Sequence, residues 1–293
     1  MAEDKKAAGT LKKRHSWNGV DGLLLAGDSW GDPQGQLVVM QHGFGQTRHA
    51  WKSAGEALGA AGYYVVAYDH RGHGDSQWSV QGNYNQSALL GDLQCIVSAI
   101  GKPRPILIGA SMGGVNSLLA AGEELVDARA LVLVDIAPRV EEQGADRILS
   151  FMAQSPDGFA SLEEVADAVA RYQPGHKRPK TPEGLAKNVR LGADGRYRWH
   201  WDPRMLATRG ETSKRRERLE QSARKLRIPT LLVRGGLSDV ITEQGAREFL
   251  QMCPHSEYVN VSGAGHMVAG HRNDAFTQAI FDFLARLGGP QSP

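Results

Sequence analysis

Ser111 stands in Gly109-Ala110-Ser111-Met112-Gly113-Gly114, between the apolar run Pro105 to Ile108 and a Leu/Ala-rich segment that reads as a helix. A serine at a sharp strand-to-helix turn holds strained backbone angles while its neighbours approach closely. Glycines two residues before and after it remove the side chains that would collide. The strain lifts the hydroxyl into the open. The following helix aims its unpaired N–H groups and the positive end of its dipole at the same point, where an oxyanion forms in acyl transfer. Ser111 is therefore a candidate nucleophile. In a chain with 35 glycines the Gly-x-Ser-x-Gly spacing alone carries little weight, and its partners decide the matter.

A serine hydroxyl needs a general base, the base needs an orienting carboxylate, and the developing oxyanion needs preorganised donors. Asp239 follows the strand-like run Thr230 to Arg234, in Arg-Gly-Gly-Leu-Ser-Asp, and His266 follows the run ending at Val261, in Ser-Gly-Ala-Gly-His. Both lie beyond carboxyl ends of strands, the edge of an open α/β sheet where ligands bind. The order Ser, Asp, His is that of the nucleophile-elbow hydrolases. Asp135, which ends the run Ala130 to Val134, is the competing acid; it is read as a structural carboxylate capping nearby N–H groups, and Asp239 as the triad acid. His271 competes with His266, but only His266 has Gly263 and Gly265 beside it to let a loop fold back over the sheet. Upstream, Leu37 to Gln41 leads into His42-Gly43-Phe44-Gly45, where glycines allow a backbone N–H to turn inward. Phe44 N–H and Met112 N–H are the expected oxyanion donors, and loss of one such donor costs on the order of 3 kcal/mol in the transition state.

The elements that must position these groups alternate. Strands read at Gly22 to Ala26, Leu37 to Gln41, Tyr63 to Tyr68, Pro105 to Gly109 and Ala130 to Val134, with helices at Ala50 to Ala61, Ser87 to Ile100 and Met112 to Leu125. Unbroken apolar runs suit strands buried on both faces of a parallel sheet. From about Pro138 to Leu226 the alternation stops, and Pro174, Pro179, Pro182 and Pro203 break the segment. Ser161 with Glu164 forms a capping-box start there, and Leu162, Val165, Val169 and Tyr172 recur at helical spacing, which predicts an amphipathic helix. Tyr197, Trp199, His200 and Trp201 alternate with Arg196 and Arg198, as in an extended hairpin arm. Trp199 and Trp201 are candidates either for packing or for lining a substrate pocket, with Met267 beside His266 as a further lining candidate. Alternation resumes with the strand Thr230 to Arg234, a helix near Glu243 to Gln251, the strand Glu257 to Val261 and a helix from about Arg272 to Leu287.

Composition excludes several classes. The chain has 293 residues, 41% hydrophobic and 23% charged, with a net charge of +2, too small to imply nucleic acid or an anionic membrane as partner. Cys95 and Cys253 match no metal or redox spacing and read as inert thiols in a reducing compartment. Met1 to Arg14 lacks the apolar stretch of a secretory signal, and no window approaches a membrane helix, so a cytoplasmic location is expected. The run Lys214, Arg215, Arg216 and Arg218 is a solvated helix face. His42, His70 and His73 are read as loop-holding residues, no set of histidines has zinc-ligand spacing, and no metal is expected.

With these motifs in order, the chain resembles the capped members of the α/β-hydrolase superfamily. His42 to Gly45, Asp69-His70-Arg71-Gly72-His73-Gly74-Asp75-Ser76, Gly109 to Gly114, Asp239 and Gly265-His266 carry the likeness, which spans about Val20 to Leu287. The resemblance implies an α/β fold with a mostly parallel eight-stranded sheet, helices on both faces and an inserted, mainly helical cap. A core of 15–137 and 227–293, a cap of 138–226 and a flexible tail of 1–14 follow from it. Some relatives take their acid from the strand that here ends at Asp135. The implied activity is hydrolysis of a carboxylic ester or lactone through an acyl-enzyme, with no cofactor, a small molecule as the only implied partner, and an oligomeric state left open. Carbon–carbon bond hydrolysis, cofactor-free perhydrolysis or haloperoxidase chemistry, and ligand reception are the alternatives on the same fold. Epoxide hydrolases and haloalkane dehalogenases use an aspartate where this chain has Ser111.

Overall fold

The computed structural model describes residues 12–172, 182–207, 212–266 and 273–289. Its strands are β1 (Lys13–Asn18), β2 (Leu24–Trp30), β3 (Leu37–Gln41), β4 (Tyr64–Tyr68), β5 (Ile106–Ala110), β6 (Ala130–Val134), β7 (Val189–Leu191), β8 (Tyr197–Trp199), β9 (Thr230–Gly235) and β10 (Glu257–Val261). Eight of them form one sheet in the order β1-β2-β4-β3-β5-β6-β9-β10, and β7 and β8 pair separately. From β4 to β10 every neighbour is parallel, while β2 runs antiparallel to both β1 and β4. The mostly parallel sheet expected from the sequence is therefore present.

Every residue of β3, β4, β5, β6 and β9 is buried. Alternate residues serve opposite faces, as the pleat requires. Leu37 and Val39 join one apolar cluster and Val38 and Met40 the other. The first face is covered by α2 (Gln86–Ile100), α3 (Met112–Gly122), α6 (Thr212–Lys225) and α7 (Glu243–Met252), and the second by α1 (Lys52–Ala60) and α8 (Thr277–Arg286). Cys253 is buried and Cys95 half-buried, both as free thiols. No described helix is long and apolar enough to cross a membrane.

Two elements differ from the sequence reading. Lys13–Asn18, whose first two residues were assigned to a loose tail and for which no strand was read, is the edge strand β1, with Trp17 packed against the core from a half-buried position. The segment between β6 and β9 also divides differently from 138–226. Its α4 (Glu142–Ala153), α5 (Leu162–Tyr172) and β7–β8 pair share a third apolar cluster. In contrast, α6 sends Leu219 and Ala223 into the main core, and Arg218 at its middle pairs with Glu123 at 2.6 Å. The separately packed insertion thus ends before α6. The Ser161 half of its capping box forms, Glu164 N–H donating to Ser161 Oγ at 3.3 Å, while the Glu164 carboxylate accepts from Ala160 N–H, one residue before the cap, at 2.7 Å.

Buried polar groups lock the loops at the carboxyl ends of β3 and β4. Arg48 donates through Nε to Asp28 at 2.9 Å, through Nη2 to Asp75 at 2.8 Å and through Nη1 to Asp69. Arg71 grips Asp92 of α2 through Nε and Nη2 at 2.6 and 2.7 Å, both side chains being buried. Between these pairs lie the imidazoles of His42, His70 and His73, with His200 of the insertion against them. Burial drives all four towards the neutral form, holding His42 and His73 well below the usual range and bringing His70 and His200 down to about 3.

Two stability measurements test this interior. Asp92→Ala leaves the buried Arg71 guanidinium without its two-toothed partner and is expected to lower unfolding free energy by about 3–5 kcal/mol, read as a lower urea midpoint; a loss below about 1 kcal/mol contradicts the assignment. Below about pH 6.5 an unfolded histidine takes up a proton, whereas His70 and His200 refuse it in the native protein until about 3. Stability held above about pH 6.5 is accordingly lost as pH falls through that window. Tm is expected to drop between about pH 7 and pH 4.5, and to drop less in His70→Phe. Equal pH dependence in both proteins refutes the neutral cluster.

Candidate active site

The turn between β5 and α3 has the strained geometry that its glycines anticipate. Ser111 lies at φ 48° and ψ −113°, a region that side chains rarely adopt. A Cβ on Gly109 would lie 2.2 Å from Gly113 O, one on Gly113 2.4 Å from Gln41 O, and one on Gly114 2.3 Å from Ile136 Cγ2. Only bare backbone fits at all three positions. Ser111 N–H donates to Val134 O at 3.1 Å, so the residue extends the ladder between β5 and β6 by one step.

Asp135 repeats this placement on the next strand. Ala110 and Val134 are register partners, so Ser111 and Asp135 each stand one residue past a matched strand end. Both have positive φ, 48° and 51°. Asp135 is 2% exposed and accepts hydrogen bonds from Gly235 N–H at 2.9 Å, Ser238 Oγ at 2.7 Å and His266 Nδ1 at 2.6 Å. With the hydrogen on Nδ1, the imidazole carries its lone pair on Nε2.

The carboxylate facing His266 is thus Asp135 and not Asp239, which corrects the sequence expectation. β9 ends at Gly235, and the turn beyond it spends Ser238 on Asp135 before reaching Asp239. There the chain runs beside α4: a Cβ on Gly144 would meet Asp239 O at 2.1 Å, and the Asp239 carboxylate pairs with Arg147 at 2.7 Å. The overlooked signal is positional, since Asp135 follows its strand as immediately as Ser111 follows the preceding one. The reading of Asp135 as an acceptor of backbone N–H groups holds through Gly235, alongside its bond to the imidazole.

Neither Phe44 N–H nor Met112 N–H meets an acceptor among the described residues. The Gly43 carbonyl, which shares a rigid peptide plane with Phe44 N–H, accepts from Gln46 N–H at 3.0 Å and His42 Nδ1 at 2.8 Å. His42 Nε2 in turn accepts from His70 N–H at 3.0 Å, which fixes the tautomer. A Cβ on Gly43 would sit 3.3 Å from Ser111 Cβ, so this loop lies against the elbow. His42 therefore holds the loop, as its position suggested.

Of the two tryptophans, Trp199 is interior to the insertion, between Phe151 and Phe159 at centroid distances of 5.4 and 5.2 Å. Trp201 stacks on it at 4.8 Å and turns towards Phe44, 6.2 Å away. Met267 and His271 lie outside the described residues.

Comparison with known proteins agrees with this architecture. The alpha/beta hydrolase fold family model matches residues 36–270. The esterase Rv0045c of Mycobacterium tuberculosis is 25% identical over 288 residues, covering 96% of this chain and 93% of its own. The sn-1-specific diacylglycerol lipase ABHD11 of Mus musculus is 26% identical, covering 87% of this chain and 83% of its own. The crystal structure of an alpha/beta hydrolase from Novosphingobium aromaticivorans DSM 12444 superposes with a TM-score of 0.77 at 23% identity, covering 94% of this chain and 98% of that one. With a strained serine elbow at the end of β5 and a family match across most of its length, the chain belongs to the alpha/beta hydrolase fold family.

Proposed function

We propose that the protein hydrolyses a carboxylic ester or lactone through an acyl-enzyme formed on Ser111. The observation that carries this reading is the buried Asp135–His266 pair, set one strand from the strained serine. Ser111 Oγ attacks the carbonyl carbon while His266 Nε2 takes its proton, and the imidazolium so formed is steadied by Asp135. The same proton passes to the leaving alcohol, and water repeats the cycle on the acyl-serine. Phe44 N–H and Met112 N–H bind the oxyanion. The nucleophile and both proton transfers come from side chains, so the cycle needs no cofactor.

The ester class draws support from the relatives named esterase and lipase. We read the insertion that precedes α6 as a cap. Its Trp201, beside Phe44, is the residue we place on the substrate side, with Trp199 supporting it from behind.

Ser111→Ala is expected to lower turnover of a short p-nitrophenyl ester by at least about a thousandfold and to abolish labelling by a fluorophosphonate probe; retained turnover shows that another nucleophile acts. The acid is tested separately. Asp135→Asn is expected to reduce kcat/KM by about a thousandfold or more, the scale set by a mis-oriented imidazole, whereas Asp239→Asn stays within a few-fold of the parent. The reverse ranking restores Asp239 as the acid.

A further inference from the structure

Three residues of the insertion converge on Gly45, the glycine following the proposed oxyanion donor. Gly45 has φ 76°, and a Cβ there would lie 2.5 Å from Met152 Cε and 3.4 Å from Trp201 Cζ3. The third is His200. Its Nδ1 accepts from Gly74 N–H at 2.8 Å, which places the ring hydrogen on Nε2, and Nε2 donates to Gly45 O at 3.2 Å. The other side of Gly45 is held as well: its N–H donates to His73 Nε2 at 3.3 Å. Both polar groups of this residue are thus held by imidazoles, one from the loop after β4 and one from the insertion.

We propose that His200 is a positioning residue for the oxyanion donor: by seating the insertion on Gly45 it completes the set of bonds that aims Phe44 N–H at the reacting carbonyl. This rests on the reading of Phe44 N–H as a donor to the oxyanion. Phe44 lies between two fixed points, the Gly43 carbonyl held by His42 and Gln46 and the Gly45 backbone held by His73 and His200. Loss of His200 strips the buried Gly45 carbonyl of its donor and leaves the second point on His73 alone, so the segment carrying Phe44 N–H is held more loosely on its downstream side. A donor turned away from the oxyanion slows chemistry while leaving ground-state binding in place.

The insertion does not depend on His200 for its attachment. Asp202 N–H donates to Gly72 O at 2.9 Å, Tyr84 Oη donates to Asp202 Oδ2 at 2.5 Å, and Arg190 donates to Gly74 O. A variant at position 200 therefore keeps its docking contacts, and the effect on the donor is separable from loss of the fold.

The experiment compares His200→Ala, His200→Asn and His200→Gln with the parent protein and with Ser111→Ala, using p-nitrophenyl acetate. The glutamine amide N–H2 reaches the place of Nε2 and restores the bond to Gly45, whereas asparagine reaches only the place of Nδ1. His200→Ala and His200→Asn are expected to lose about tenfold to a hundredfold in kcat with KM within about twofold, and His200→Gln to recover most of the loss. In parallel, the backbone amide resonances of Phe44 and Gly45 are expected to shift or broaden in the alanine and asparagine variants and to return in the glutamine variant. Parent-like kcat and amide resonances in His200→Ala overturn the proposal, as does a glutamine variant no better than asparagine. Should the parent turn over no ester, or Ser111→Ala remain active, the acyl-enzyme reading fails. The amide resonances then decide the clamp: changes reversed by glutamine support it, and their absence overturns it.

Discussion

The hydrogen-bonded ladder between β5 and β6 is the constraint on which the site depends. Ala110 and Val134 are paired across it, and the next residue on each strand turns to a positive φ and carries a hydroxyl or a carboxylate. Neighbouring parallel strands stand about 4.8 Å apart, so the serine and the carboxylate are placed by the sheet itself. The cost of two side-chain-bearing residues in that backbone region is on the order of 1–3 kcal/mol each. Strands buried along their whole length and packed on both faces hold the chain in place against this strain.

The loop carrying Phe44 and the insertion form one structure at the edge of that sheet. Four neutral imidazoles lie together there, and three of them complete backbone hydrogen bonds that a charged ring would break, because each uses one nitrogen as donor and the other as acceptor. His70 differs, since neither of its ring nitrogens has a partner among the described residues. It fills space between Tyr68, His42 and His73 as an aromatic ring.

Much of this was legible in the residues before any coordinates. The spacing of Gly109, Ser111 and Gly113 announces the elbow because a Cβ at either glycine would lie 2.2 or 2.4 Å from a backbone oxygen. The unbroken apolar runs announce buried parallel strands because both faces of each are covered. Which carboxylate faces His266 was signalled only by position, Asp135 following its strand immediately as Ser111 does. Asp135 and Asp239 both follow apolar strands, and what separates them is the path of the turn after Gly235, which donates one N–H and one hydroxyl to Asp135 and carries Asp239 away to Arg147. β1 was hidden because an edge strand whose residues are exposed apart from the half-buried His15 and Trp17 has no apolar run to show. The work of His200 was hidden for a different reason: its partners, Gly45 and Gly74, are backbone groups more than a hundred residues away.

The three side chains are anchored unequally. Two grow directly from the buried middle of the sheet, but His266 lies five residues beyond β10, an outermost strand with β9 as its sole partner among the described residues and no fully buried residue of its own. Margins open at lower free energy than interiors. Fraying of that margin disconnects the imidazole while β3, β4, β5 and β6 remain paired. On the proposed mechanism, thermal inactivation is then a property of the rim, and global melting a property of the centre.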